Sequence, residues 1–496
     1  MGVSIKNNII IEIMKKILIL AFILISINLP GQTFSSLLNK RTQVFNVKDY
    51  GAVADSITDD TDAIQAAIDA VPEEGGTVFF PQGIYRIEGT IHITTPVHLL
   101  GVPVMSMIFS QPPAADYWYN AGSVLMSKGS AKAMIDINTG RGAGSVEHRG
   151  SVLEYLHLYD EKDYNDTLVV IRMTNYAKVN NCILTEGAVG ILVDALVEDA
   201  SWPDLTGNHF RNNNVSIWST ANASAADVPV GHISGGSFHV KDNQTGIRTE
   251  KSGFSTISGL KMDVRGTNCI GIDWGAIQKG GIGGSITDVK FETEGDDSTC
   301  IAIRTRTGML SMTGVAVMGT TYGTGVWVKA GASPVDPAEA IAMTNCTFSG
   351  LDYGLIVEDS TAGVQMVNGN FRHNISKFAI KLRPNSGSNQ FHNVIIGDPF
   401  YTAISDSSTN STFTNINYIN GGTRRYYDKK PPETESLTDG VPTDTQLDTG
   451  FGFTPSQIGN GFMRIIKDTG GTALPYWVWT DGTDWYYIPF IKAVNP

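Results

Sequence analysis

Apolar residues recur along this chain in short strands, each opened by a small residue and preceded by a polar turn rich in Asn and Gly. Aligning the small residues gives Gly190-Ile-Leu-Val, Gly246-Ile-Arg-Thr, Gly271-Ile-Asp-Trp, Ala302-Ile-Arg-Thr, Gly325-Val-Trp-Val, Gly354-Leu-Ile-Val, Ala379-Ile-Lys-Leu and Ala403-Ile-Ser. The unit returns at intervals of about two dozen to three dozen residues, and the doubled interval after Gly190 leaves room for another copy at Ser216-Ile-Trp-Ser. A unit of that size cannot bury its apolar side alone and must stack on its neighbours, so the period predicts a parallel β-solenoid. Within each strand the first apolar residue points inward and the next points out. The Asn run Asn212-Asn-Asn214, with Asn180, Asn181, Asn345, Asn368 and Asn370, reads as turn chemistry, because Asn tolerates left-handed backbone.

The flanks follow different patterns. In Thr58-Asp-Asp-Thr-Asp-Ala-Ile-Gln-Ala-Ala-Ile-Asp-Ala70 the Asp and Thr residues suit a helix N-terminus, and Ala63, Ile64, Ala67 and Ile68 form one apolar stripe. Such a helix is expected to cap the open end of the solenoid, whose strand edges are otherwise unpaired. It leads into a strand pair, Gly75-Gly-Thr-Val-Phe-Phe-Pro-Gln-Gly-Ile-Tyr-Arg-Ile87, punctuated by Pro81 and Gly83. Residues 421–449, rich in Thr, Asp, Pro and Gly, read as a linker. Residues 450–496 turn aromatic, and Tyr476-Trp-Val-Trp-Thr-Asp-Gly-Thr-Asp-Trp-Tyr-Tyr-Ile predicts a hairpin in a small β module. Such a module can stack on sugars, but packing on itself or on the last coil is the favoured reading. Residues 1–31 read as a signal peptide started at Met14, with a basic Lys15-Lys followed by an apolar run too short to span a bilayer comfortably. An exported, soluble mature protein is expected, since no later run suits a membrane helix.

With 496 residues and 42% hydrophobic content the chain can bury a large core, and its 53 Gly suit a turn-rich solenoid. The net charge of −13 argues against nucleic acid as a partner, because phosphate binding needs dense positive charge. Cys182, Cys269, Cys300 and Cys346 lack metal-ligand spacing; Cys269 and Cys300 lie one repeat apart, and buried thiols are preferred to a disulfide. Calcium is the one cofactor the sequence offers, at Glu292, Glu294, Asp296 and Asp297. These lack fixed ligand spacing, and a solvated acidic turn is preferred.

Alternation sends Trp218, Arg248, Glu250, Asp273, Arg304, Arg306, Trp327, Lys329, Glu358, Lys381 and Arg383 outward on one strip. An acidic protein that stacks Arg248, Arg304, Arg306, Lys329, Lys381 and Arg383 on one face has concentrated its cations there. Arginine forks match carboxylates, and Trp218 and Trp327 offer flat faces to sugar rings. The expected ligand is therefore an acidic, uronate-containing glycan, bound by Arg248, Asp273, Arg306, Trp218, Trp327, Lys381 and Arg383. The bland counterpart is a solvated surface of cations paired with Glu250, Asp273 and Glu358. Uronates undergo β-elimination once a cation neutralises the carboxylate and a base removes the adjacent proton. For these roles the candidates are Arg304, Tyr322, His209, His232 and Lys329, with His239 as a further histidine. A sugar leaving group would make the protein a lyase, and water a dehydratase.

Asp49-Tyr-Gly-Ala, Thr58-Asp-Asp-Thr-Asp-Ala-Ile-Gln-Ala-Ala-Ile and Gly76-Thr-Val-Phe-Phe-Pro-Gln-Gly-Ile-Tyr resemble the start of the pectate-lyase superfamily. With the repeats, the resemblance covers about residues 43–420. It implies an all-β fold, a right-handed parallel β-helix carrying an N-terminal capping helix and followed by the small C-terminal β module. The family includes lyases, hydrolases, epimerases and phage tailspikes, so it does not fix the reaction. Its polygalacturonases carry Asn-Thr-Asp, Asp-Asp, Gly-His-Gly and Arg-Ile-Lys on successive coils. Here the corresponding stretches are Asn268-Cys-Ile-Gly-Ile-Asp, Gly295-Asp-Asp-Ser-Thr, Gly323-Thr-Gly and Gly354-Leu-Ile-Val. Hydrolysis by Asp273, Asp296 or Asp297 is thus the runner-up to elimination, and a non-catalytic glycan-binding, tailspike-like protein is the third reading.

Overall fold

The computed structural model describes residues 43–103, 122–128, 133–138, 150–161, 165–172, 176–195, 203–221, 231–250, 254–275, 284–294, 299–306, 310–320, 322–329, 341–358, 361, 363–372, 375–384, 386–397, 404–408, 411–420, 423–426, 447, 460–466, 476–481 and 483–489. The expected signal peptide, Asp296 and Asp297 lie outside them. Each full coil supplies one strand to each of three parallel sheets, as in Leu310–Thr313 (sheet A), Ala316–Gly319 (sheet B) and Thr324–Val328 (sheet C). Among the described residues the sheets contain 14, 15 and 12 strands. The fold is the expected right-handed parallel β-helix, and its interior is one continuous apolar cluster from Val47 to Ile416.

The small residue that opens each sheet C strand has a packing cause. A Cβ on Gly354 would stand 2.3 Å from Phe371 Cε1, on Gly325 2.6 Å from Phe348 Cδ1, and on Gly271 2.7 Å from Phe291 Cε1. Those rings belong to one inward column of sheet B, which runs in register Phe291, Val317, Phe348, Phe371, Ile396. Where this column carries Val317 or Ile396, the matching sheet C position carries Ala302 or Ala379. Bulk on one sheet is thus exchanged for its absence on another, which keeps the cross-section constant from coil to coil. Neighbouring rings also stack, with Phe348 and Phe371 centroids 5.0 Å apart and Phe210 and Phe238 4.6 Å apart.

Between sheets A and B the chain turns on a left-handed residue, followed in one coil by a second, Gly236 (φ 87°). Asn181, Gly207, Gly235, Gly259, Asp288, Gly314, Asn345, Asn368, Asn393 and Asn415 fill this column with φ between 52° and 69°. These are types that accept positive φ at low cost, whereas Tyr155 holds the same place at φ 56° without that advantage. Asn amides stack along it, with Asn368 Nδ2 donating to Asn345 Oδ1 (3.1 Å) and Asn415 Nδ2 to Asn393 Oδ1 (2.6 Å). The turn reading therefore matches the backbone at Asn181, Asn345 and Asn368, whereas Asn180 and Asn370 belong to the strands Lys178–Asn180 and Asn370–Phe371.

Helix α1 (Thr61–Asp69) buries Ile64, Ala67 and Ile68 against the first coil. Its Gln65 closes the sheet C edge directly: Oε1 accepts from His92 N (2.8 Å) and Nε2 donates to His92 O (3.0 Å). The helix start differs in detail from expectation. Asp60 sits at the N-cap but turns its carboxylate to Val53 N (2.6 Å) and Ala54 N (3.1 Å), while Asp59 Oδ1 accepts from Thr61 N (3.1 Å). At the other end Thr423–Tyr426, within the stretch expected as a linker, instead pairs antiparallel with Asn417–Asn420. The aromatic tail forms the expected hairpin, Tyr476–Asp481 with Trp485–Pro489, in a three-stranded antiparallel sheet. One expectation is corrected: Cys269 and Cys300 are disulfide-bonded across adjacent coils, their Cα atoms 4.8 Å apart, because the register sets them side by side. Cys182 and Cys346 are free and buried.

Gly354→Ala should lower the unfolding free energy by ~1–3 kcal/mol, since its methyl has no room beside Phe371; Phe371→Leu in the same chain should recover part of the loss, both read by urea titration. His157 is buried on sheet B beside Thr185 Oγ1 (3.0 Å), and burial pulls its pKa down from 6.5 to about 4. Its unfolded form takes up a proton first. Stability is therefore full above pH 6.5 and falls as the pH drops towards 4, by up to ~3 kcal/mol. His157→Gln should flatten that slope in denaturant midpoints measured across the same range.

Candidate functional site on the outer face of sheet C

Sheet C carries the outward strip in strict register: Leu192, Trp218, Arg248, Asp273, Arg304, Trp327, Ile356 and Lys381 are successive partners. Two positions along, Glu250, Arg306, Lys329, Glu358 and Arg383 follow the ends of their strands. Both rows face solvent because Ile247, Ile272, Ile303, Val326 and Ile380 alternate with them into the core.

The centre is an Arg–Asp–Arg cluster. Arg304 binds Asp273 through both carboxylate oxygens, Nε to Oδ1 at 2.8 Å and Nη2 to Oδ2 at 2.6 Å, and Arg306 Nη1 reaches Oδ1 at 3.0 Å. Asp273 keeps 3% of its surface although it points outward, because the two guanidinium groups cover it. Burial pushes the Arg306 guanidinium down, with the nearby Arg304 and Arg248 charges adding to the effect and Asp273 opposing it. One carboxylate cannot neutralise two guanidinium ions, so the cluster keeps a positive charge directed outward.

A Trp–Glu pair recurs on either side. Trp218 Nε1 donates to Glu250 Oε1 (3.1 Å), with Arg248 over the indole at 4.9 Å and within 3.6 Å of the same glutamate. Four strands on, Trp327 Nε1 donates to Glu358 Oε1 (2.9 Å), with Lys329 Nζ 4.0 Å from the ring centroid. In each case the acid lies on the next strand and two positions along. It fixes the indole, while the ring face steadies a cation. The strip is therefore partly the paired surface considered above, but the pairing is incomplete. Among the described residues, the strip sets the cations Arg248, Arg304, Arg306, Lys329, Lys377, Lys381 and Arg383 against the acids Asp194, Glu250, Asp273, Glu358 and Asp352.

The structure brings Arg304, Arg306 and Lys329 together, since Thr305 and Val328 are partners and the two cations follow them. Tyr322 is exposed at the turn entering Thr324–Val328, at the opposite end of that strand from Lys329. His209 and His232 are not part of this face. His209 is on sheet B, where Nδ1 meets Ser237 Oγ (2.8 Å) and burial, with His239 nearby, pulls its pKa down; His232 is exposed on sheet A. His239 lies on sheet B beside Asp263 (3.2 Å). Of the proposed calcium ligands, Glu292 is paired with Lys261 and Lys290, and Glu294 with Arg265. Among the described residues no group of three or more metal-ligating side chains occurs.

Sequence reasoning missed Tyr353, Phe378 and Lys377, which adjoin the strip at the strand starts. The available signal was an aromatic residue immediately before the small residue in two successive coils, Tyr353-Gly354 and Phe378-Ala379.

The sequence profile of the family described as rhamnogalacturonase A/epimerase, pectate lyase-like, matches residues 44–142. Over 46 residues the chain is 63% identical to alginate lyase 7 of Azotobacter vinelandii, a segment covering 9% of this chain and 5% of that protein. Over 56 residues it is 48% identical to plasmin and fibronectin-binding protein A of Streptococcus pneumoniae, covering 11% of this chain and 8% of that protein. The chain thus spans less than a tenth of the length of these relatives. The A-module of the Azotobacter vinelandii mannuronan C-5 epimerase AlgE4 superposes with a TM-score of 0.51 at 15% identity, over 75% of this chain and 100% of that one, a likeness of fold.

Because Asp273 is the shared partner of two arginines, Asp273→Ala should cost ~3 kcal/mol or more in stability. Adding Arg304→Ala should restore part of it, a coupling that a double-mutant cycle in urea would measure.

Proposed function

We propose, from the match of residues 44–142 to a pectate-lyase-like family and the parallel β-helix fold, that this chain is an exported carbohydrate-active enzyme that binds an acidic, uronate-containing glycan along sheet C and opens it by β-elimination. The observation that carries this reading is the uncompensated Arg304–Asp273–Arg306 cluster on the face of an acidic protein. An outward guanidinium held by a buried carboxylate is pre-oriented for a second carboxylate, that of the sugar. Neutralising it lowers the cost of removing the neighbouring proton, because charge developing in the transition state meets a fixed cation. Lys329, on the strand beside Arg306, is the candidate base, and solvent supplies the proton to the departing oxygen, since Tyr322 stands at the far end of the same strand, ~20 Å away. Expulsion of the oxygen substituent one carbon further on then yields a conjugated enoate. The short match to an alginate lyase and the fold likeness to a mannuronan epimerase support a uronate as the ligand. Export is supported by the apolar leader and by the Cys269–Cys300 bond, which suits an oxidising compartment.

Epimerisation starts from the same carbanion and differs in returning the proton to the other face. The fold likeness to AlgE4 keeps it as the second reading. Hydrolysis is less well supported, since Asp273 is held by two arginines and is not free to protonate a leaving group.

Incubation with polymannuronate, polyguluronate and pectate should give the ultraviolet absorbance of an unsaturated uronate. Arg306→Ala and Lys329→Met should each reduce it by ~10²-fold or more, while His209→Ala and His232→Ala should leave it unchanged. Deuterium uptake from solvent without that absorbance would identify the epimerase. Full activity in Arg306→Ala would overturn the assignment of this face.

A further inference from the structure

The last coils of the cationic strip carry a second cluster that the elimination step does not use. Tyr353 and Phe378, register partners at the starts of adjacent sheet C strands, stack with centroids 6.2 Å apart, and both rings are partly exposed. Lys381 Nζ lies 5.3 Å from the Tyr353 centroid and 5.5 Å from that of Phe378, while Lys377 Nζ lies 5.3 Å from Tyr353. Lys377 has Asp352 as its partner at 3.2 Å, but no ion pair among the described residues involves Lys381 or Arg383. Burial and the charges of Arg383 and Lys377 push the Lys381 ammonium down. Cations gathered this closely repel one another unless an anion joins them. Beside them, two stacked rings offer apolar surface to the C–H face of a sugar.

We propose that Tyr353, Phe378, Lys381 and Arg383 form a distal subsite for a second uronate residue, so that the substrate is a chain long enough to reach from the Arg304–Asp273–Arg306 cluster to Lys381. The proposal rests on the acidic-glycan reading and adds its length. Arg304, Trp327, Ile356 and Lys381 are successive register partners, three strand steps that amount to ~14 Å along the solenoid axis. A 1,4-linked pyranose advances its chain by about one strand spacing of ~4.8 Å, so a glycan lying along the axis meets one coil per sugar. A trimer cannot span both clusters, and a chain of about four or five residues can.

The test is calorimetric titration of the full chain with saturated oligouronates from dimer to octamer. Affinity should rise by about tenfold between trimer and pentamer, the gain expected of one further charge-assisted contact, and then level off. In Lys381→Met, which keeps an aliphatic stem over the rings, that step should vanish, and in Lys381→Arg it should persist. Unchanged denaturant midpoints would show that both variants are folded. A wild-type protein that binds uronates with no length dependence, or a step that survives in Lys381→Met, overturns the distal subsite and leaves the glycan reading standing. A wild-type protein that binds none of them overturns both.

Discussion

The structure depends on one volumetric constraint: every coil must present the same interior cross-section to the coil above it. Parallel ladders hold adjacent coils at a fixed strand spacing, so side chains inside cannot be accommodated by sliding one layer past another. The chain meets the constraint by exchange, setting glycine opposite Phe291, Phe348 and Phe371, and alanine opposite Val317 and Ile396. The two-residue turn that joins sheets A and B in each coil from Lys178–Asn180 onward serves the same end, since a connection of constant length cannot drift. Gln65 then ends the stack at sheet C by supplying a side-chain amide where a further strand would supply a peptide.

With the interior settled in this way, the outer positions of sheet C are free to differ in chemistry while staying fixed in place. That is why a buried aspartate bridging two arginines stands between two Trp–Glu pairs of the same geometry. Neither device needs a loop to form it. Rigid strands hold the cations, so little ordering is required when an anion arrives, and binding loses less entropy than it would on mobile side chains.

The period, the inward and outward alternation and the helical cap were all legible in the sequence because each follows from local residue types. The strip itself was legible for the same reason: Gly271-Ile-Asp-Trp and Ala302-Ile-Arg-Thr share an offset, and equal offsets in stacked coils mean adjacency. What an alignment anchored on one strand does not reveal is the assignment of the other two. His209 and His232 were candidates for chemistry on the strip, yet each belongs to a different sheet, and a third of a turn separates faces that chain distance does not. The extent of charge pairing was equally hidden, because alternation gives the row a side chain occupies but not the neighbour it leans towards. Tyr353 and Phe378 were overlooked since they precede the small residue from which each strand was counted. The pairing of Cys269 with Cys300 turned on register, which places two residues side by side only once the coils are aligned to the residue.

The exchange of bulk between sheets B and C also bears on how such a chain can change over generations. A duplicated coil is tolerated where it brings its own matched pair, a ring with its glycine or a branched aliphatic with its alanine, since both halves travel within the same few dozen residues. Each such insertion would lengthen the outer face by one strand spacing without disturbing the coils on either side. On the proposed glycan reading, length preference would then change in whole sugars, through gene segments gained or lost, rather than by gradual reshaping of a pocket.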